Sequence, residues 1–137
     1  MRMRKVRRAN TSAERLIQAA LRARAVQFVA HVPVMGCTPD LIVPGGRLAI
    51  FVDGDFWHGR VLVEHGARAL EKMFPTEAKA FWVTKIRRNV MRDRKQAAVL
   101  RRHGWSVLRL WGRDVLEAPE HQADLVERRL RWRRVAV

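Results

Sequence analysis

Cysteine is nearly absent, with Cys37 standing alone in 137 residues. One thiol can form no intramolecular disulfide and no thiolate zinc cluster, which points to a reducing, cytoplasmic setting. Long apolar runs are missing as well. No stretch approaches the roughly 20 residues that a membrane span needs, and the basic start Met1–Arg8 runs into polar residues rather than the apolar core of a secretion signal. Repeats, low-complexity tracts and linkers are lacking, so residues 1–137 read as a single domain, long enough to bury a core without staples. Acids are scarce: 13 Asp and Glu stand against 28 Lys and Arg, a formal net charge of +15. Such an excess attracts polyanions by counterion release and makes nucleic acid the first candidate partner. Met1–Arg8 reads as an arm facing that partner or as a solvated tail.

What is present folds readily into elements. Thr11-Ser12-Ala13-Glu14 has the form of a capping box, and Ala13, Leu16, Ile17, Ala20 and Leu21 recur at helical spacing, predicting a helix over Ser12–Arg24. Val26–Val32, Asp40–Val43 and Arg47–Val52 are β-rich runs, the last two joined by the turn signal Pro44-Gly45-Gly46 into a hairpin. Gly54–Pro75 shows little periodicity and is expected to be a long, partly mobile segment with one helical turn around Val63–Met73. A long helix follows over Glu77–Arg102, Gly104 stops it, Trp105–Trp111 alternates as a strand, and Pro119–Arg133 is a basic amphipathic helix. The order α-β-β-β-α-β-α predicts an α/β fold, a mixed sheet with helices covering its faces.

The chemistry concentrates in Asp53-Gly-Asp-Phe-Trp-His-Gly59. Carboxylates beside an imidazole suit metal-assisted hydrolysis, and two adjacent aromatics among glycines and acids suit insertion between bases. Read alone, Phe56 and Trp57 could equally be core, and His58 a satisfied surface histidine. His58 has company, however: the hairpin brings Asp40, at the mouth of an apolar strand, beside the Val52-Asp53 backbone. A carboxylate next to a backbone carbonyl is a site for a hard cation such as Mg²⁺, and a histidine there can take the proton of an attacking water. On the long helix Ile86, Val90, Ala97 and Leu100 form one stripe with Asp93 in its middle. Asp93 therefore faces inward, either to meet an arginine or to orient a histidine or a water. Glu14 is already explained by its capping box and shares that ambiguity.

Several of these pieces in this order resemble one family. Asn10-Thr11 through Glu14-Arg15-Leu16, Pro39-Asp40-Leu41-Ile42-Val43, Phe51 to His58, Phe81-Trp82 with Lys85, Ile86 and Asn89, Arg92-Asp93-Arg94, and Gly104-Trp105 with Val107, Leu108 and Trp111 are similar to the very short patch repair (Vsr) mismatch endonucleases, a branch of the PD-(D/E)xK nucleases. The resemblance implies a restriction-endonuclease-like three-layer α/β/α fold with a central mixed sheet and Mg²⁺-dependent nicking of mismatched double-stranded DNA. T:G is the implied target, and the enzyme would act as a monomer on DNA in the bacterial cytoplasm, at the nucleoid.

By position, Asp40 and the main-chain carbonyl of Val52 match the metal ligands, and His58 matches the catalytic histidine. Glu14 and Asp93 match supporting acids, while Phe56, Trp57 and Trp82 match the aromatics that intercalate beside the mismatch, where unstacking is cheaper. The chain departs from the family at its structural zinc. Asp55 stands where a cysteine is usual and Gly59-Arg60 where further ligands are usual, so no zinc is expected, and the loop is either held by other means, such as an Asp55–Arg60 salt bridge, or looser. The short stretch ahead of Asn10 implies little of the arm that the family lays in the minor groove, which leaves the mismatch affinity open. The acid-x-Lys element of the wider superfamily is absent, with His58 in the lysine's place. Two other readings stay open: a related nuclease without mismatch preference, and a catalytically silent DNA-binding module. The site as read requires that the Asp40 carboxylate, the Val52 carbonyl and the His58 ring converge on one cleft.

Overall fold

The computed structural model describes the backbone of residues 11–135 and the side chains of residues 11–132. The basic start Met1–Arg8 and Asn10 of the first motif lie outside the described residues. Helix α1 spans Ser12–Ala23, opened by Thr11, whose hydroxyl accepts the Glu14 N–H at 3.2 Å. Ala13, Ile17, Ala20 and Leu21 are buried along it, whereas Leu16, at the edge of the same stripe, is exposed.

The strand expected over Val26–Val32 shrinks to β1, Val29–Ala30. Ala25 (φ 58°) and His31 (φ 57°) sit in the left-handed region on either side, which bends the backbone out of a ladder at both ends. Strand β2 (Leu41–Val43) runs through a 3-10 turn at Pro44–Gly46 into β3 (Leu48–Asp53), pairing antiparallel with Leu41 opposite Ile50. Strand β4 (Ser106–Trp111) then lies parallel to β3, from Leu48 beside Ser106 to Asp53 beside Trp111. The four strands form one mixed sheet in the order β1-β2-β3-β4.

Side chains alternate across that sheet, so the central strand β3 and its neighbour β4 each feed two cores. Leu48 and Ile50 join α1, Leu110, Val115, Ala123 and Val126 in the larger core. Ala49 and Phe51 join Val107 and, from helix α4 (Thr76–Arg102), Ala97 and Leu100. Helices thus cover both faces of the sheet. The buried residues of α4 are Ile86, Val90, Asp93, Ala97 and Leu100, the stripe read from spacing with the acid inside it.

The segment Gly54–Pro75 is more structured than its weak periodicity suggested. It carries two short helices, α2 (Arg60–His65) and α3 (Ala67–Glu71), in place of a single turn around Val63–Met73. Leu62, Leu70 and Phe74 explain this by packing on Val83, Ile86 and Val90 of α4, a satellite core too short-ranged in sequence for periodicity to reveal. Gly59 locks the approach: at φ +66° a β-carbon would lie 2.7 Å from Val90 Cγ2 and 2.8 Å from Ile86 Cγ2. Helix α5 (Gly112–Glu117), which no turn signal announced, follows β4 directly and drives Val115 fully into the larger core. Helix α6 (Pro119–Val135) closes the chain.

Candidate active site

Strand β3 delivers the site. Its alternation places Asp53 on the α4 face, and the chain leaves the sheet there through Gly54 toward His58. Asp53 is 3% exposed and accepts two contacts from Arg109 Nη1, at 2.9 and 3.2 Å, across the ladder from the parallel strand. Burial pushes the Asp53 carboxyl above the ordinary range, although Arg109 and His58 pull it down. Arg109 also donates from Nη2 to the Asp93 carbonyl at 3.1 Å and stacks 4.2 Å from the Phe51 ring centroid.

His58 Nδ1 lies 2.6 Å from Asp93 Oδ2 and 3.7 Å from Asp53 Oδ1. In the neutral ring Nδ1–H donates to Asp93, leaving Nε2 as the acceptor. Burial alone would lower the His58 pKa, but the hydrogen bond to Asp93 and the charge of Asp53 outweigh it and raise the value above that of free histidine. Asp93 thus holds the histidine, and its carboxylate lies 3.9 Å from Arg92 and from Arg109, neither of them an arginine of the first helix.

Asp40 stands just ahead of β2. Its Oδ2 accepts the Val52 N–H at 2.7 Å, so the acid and the Val52 backbone are neighbours as the hairpin demands. Its carboxyl is raised to about 7, first by burial and then by the proximity of Glu14 and Asp53, with the Val52 N–H pulling the other way. Glu14, 2% exposed, lies 3.2 Å through Oε2 from His31 Nε2. The His31 N–H in turn donates to the Asp40 carbonyl at 3.2 Å.

These six residues therefore fall into two adjacent groups: Asp53, His58 and Asp93, and Glu14, His31 and Asp40, each with ligand atoms within 4.8 Å of one another. Asp53 connects them electrostatically, since its charge acts on both Asp40 and His58. Each group could hold a cation by its donor types, and carboxylates crowded this closely favour one. His31 and Arg109 were missed from sequence. His31 lies inside an apparent strand, and Arg109 meets its partners only through the parallel pairing of β3 with β4.

The three residues read as a DNA wedge do gather. Ring centroids of Phe56 and Trp57 are 5.3 Å apart, Phe56 and Trp82 5.6 Å, and Trp57 and Trp82 5.9 Å. Phe74 stacks on Trp82, Phe81 meets it edge-on, and Lys85 Nζ lies 5.1 Å from the Trp57 ring centroid. Asn89 Nδ2 donates to the Trp57 carbonyl at 2.9 Å, tying the loop to α4. Phe56 and Phe81 remain 37% and 61% exposed, so the cluster is an accessible aromatic ledge and not a closed core. Next to it, Asp55 pairs with Arg60 at 2.9 Å, the salt bridge expected at the altered zinc loop, and Arg60 continues to Asp114 at 2.7 Å.

A family model described as DNA mismatch endonuclease Vsr matches residues 1–63. The chain is 41% identical over 83 residues to the type II nicking enzyme V.HpaIIP of Haemophilus parainfluenzae, covering 61% of this chain and 55% of that one. It is 35% identical over 109 residues to the type II nicking enzyme V.XorIIP of Xanthomonas oryzae pv. oryzae, covering 80% and 75%. Against the DNA mismatch endonuclease Vsr of Escherichia coli it is 32% identical over 109 residues, covering 80% and 65%. The chain thus spans between about half and three quarters of the length of these relatives.

Proposed function

This chain belongs to the Vsr family of DNA endonucleases, and from that premise we propose that it is a Mg²⁺-dependent enzyme that nicks one strand of double-stranded DNA beside a T:G-type mismatch. The observation that carries the reading is one short segment, residues 53–59, which supplies both a carboxylate-held histidine and two rings of an exposed aromatic ledge. Hydrolysis and unstacking are thereby arranged within a few residues of each other.

Asp40 and the Val52 main-chain carbonyl would hold the cation, whose chemistry is to polarise the scissile phosphate and offset charge on the entering and leaving oxygens. His58, oriented through Nδ1 by Asp93, takes the proton from the attacking water at Nε2. Glu14 supports Asp40 from α1, and Asp53 keeps His58 in place with Arg109. Phe56, Trp57 and Trp82 stack against bases that a mismatch has already loosened. The net charge of +15 supplies sequence-independent attraction to the backbone. The mixed sheet with helices on both faces supports the restriction-endonuclease-like three-layer assignment. Among the described residues no helix is long and apolar enough to cross a membrane. Action as a monomer on cytoplasmic, nucleoid DNA is part of the same reading.

The relatives named as type II nicking enzymes favour one second reading, a nicking enzyme tied to a restriction–modification system and indifferent to mismatches. End-labelled duplexes carrying each mismatch, with a matched control and Mg²⁺, separate the two. Nicking confined to T:G and abolished by Asp40→Ala supports the first. Equal nicking of the matched duplex supports the second, and no cleavage on any duplex sinks both in favour of a silent DNA-binding module.

A further inference from the structure

One buried ring nitrogen is left over from the site as described. We propose that His31 Nε2 joins Glu14 and Asp40 in a divalent-cation site of one nitrogen and two carboxylate donors, which takes Mn²⁺ more tightly than Mg²⁺. The inference rests on the reading of Asp40 as a metal ligand and adds to it a nitrogen donor that the reading does not contain.

Spacing is the first argument. The three ligand atoms lie within 4.8 Å of one another, the span of donors placed a little over 2 Å from a shared ion. The second is an unmet bond: His31 Nε2 is fully buried and makes no hydrogen bond, although Glu14 Oε2 is only 3.2 Å away. A buried nitrogen in that condition loses its hydration without return, and a cation between the donors would restore the loss. Backbone geometry is the third. His31 holds φ 57°, costly for a residue with a β-carbon, and its N–H is fixed to the Asp40 carbonyl, so a strained backbone is held in place beside Asp40 while the ring reaches Glu14.

The neighbouring group makes a poorer cation site. Arg109 Nη1 already stands 2.9 Å from Asp53, and His58 Nδ1 is committed to Asp93. A metal would have to enter against a guanidinium. Donor chemistry then sets selectivity, because imidazole favours first-row transition ions where carboxylates alone serve Mg²⁺.

The test uses the full chain without DNA. Mn²⁺ binding is titrated by electron paramagnetic resonance, with Mg²⁺ as competitor, and spin-echo modulation reads ¹⁴N coupling from a directly bound imidazole. Wild-type protein should show the modulation, and [¹⁵N]histidine labelling should replace it with the ¹⁵N pattern, a result that needs no variant to fold. His31→Asn, chosen because Asn tolerates the left-handed region, should remove the modulation and weaken Mn²⁺ about tenfold or more while changing Mg²⁺ less than about threefold. His58→Gln should keep it. Modulation that is absent in wild type, survives His31→Asn, or vanishes in His58→Gln overturns the proposal. Nicking with no ¹⁴N coupling would defeat this inference alone, whereas coupling without nicking on any duplex would defeat the nuclease reading and leave the metal site.

Discussion

The two histidine–carboxylate groups beside β3 share a composition and differ in how charge is balanced. His58 meets Asp53 and Asp93 with Arg109 set among them, donating to the Asp53 carboxylate and to the Asp93 carbonyl. His31 meets Glu14 and Asp40, where burial first and then acid-on-acid proximity push the Asp40 carboxyl to about 7. The first group is a finished ion network, complete in the folded chain. The second stores electrostatic cost that a bound cation would relieve, as sites that serve a ligand often do.

Removing the cation from the finished group should have the largest effect. Arg109→Leu strands Asp53, 3% exposed, and takes a donor from the Asp93 carbonyl. Breaking a buried pair this way is expected to cost about 3–5 kcal/mol in urea unfolding. Asp40→Asn should act with the opposite sign. The folded carboxyl at about 7 lies above its unfolded value, so its contribution is intact in acid and lost as pH rises through about 7. Asn keeps an acceptor for the Val52 N–H and carries no charge, so the Tm of Asp40→Asn should exceed wild type, and by more at pH 8 than at pH 5. Comparable Tm losses in both variants would break the contrast.

A smaller effect is expected where the finished group does its work. His58 must be neutral to take a proton, and Asp93 raises its pKa, so nicking should rise with pH through a midpoint above the roughly 6.5 of free histidine. The same raised value stabilises the fold below that ordinary pKa and ceases to do so as pH passes the folded one. Asp93→Asn should lower the midpoint and slow nicking about 10–100-fold. An NMR titration of the His58 ring checks the first part and a pH–rate profile both. An unshifted midpoint would remove Asp93 from its positioning role.

These contrasts were only partly legible in the sequence. Asp40, His58 and Asp93 could be marked because each breaks a local pattern: an acid at a strand mouth, a histidine among acids and aromatics, and an acid within an apolar helical stripe, whereas the capping box already accounts for Glu14 and only the family resemblance marks it. His31 breaks none. It lies in a β-rich run, and what singles it out is a left-handed φ that residue type does not encode. Arg109 needed the parallel register, which sets Phe51 beside it and brings Asp53 within reach, and register between strands more than 50 residues apart comes from tertiary packing. Helices α2 and α3 were hidden for a related reason, since their stability comes from three side chains laid on α4 and not from their own periodicity. The long helix, whose stripe repeats over many turns, was readable almost to its ends.

Arg60 sharpens the comparison by holding chemistry constant and changing depth. Like Arg109 it is a guanidinium shared by several acids, contacting Asp55 at 2.9 Å, Asp114 at 2.7 Å and Glu64, with its plane 5.5 Å from the Trp111 ring centroid. Its acids are more exposed, however: the Asp55 and Asp114 side chains keep 28% and 32% of their surface, against 4% for Asp53. Water can therefore solvate what Arg60 abandons, and added salt already screens the pairs. Arg60→Met, which keeps most of the aliphatic packing on Trp111, should cost about 1 kcal/mol, and the cost should shrink in high salt. The loss in Arg109→Leu should stay nearly constant with salt, because ions do not reach Asp53. A salt-insensitive loss in Arg60→Met as large as that of Arg109→Leu would mean that the network around the aromatic ledge, and not burial of the partner acid, sets the scale of these effects.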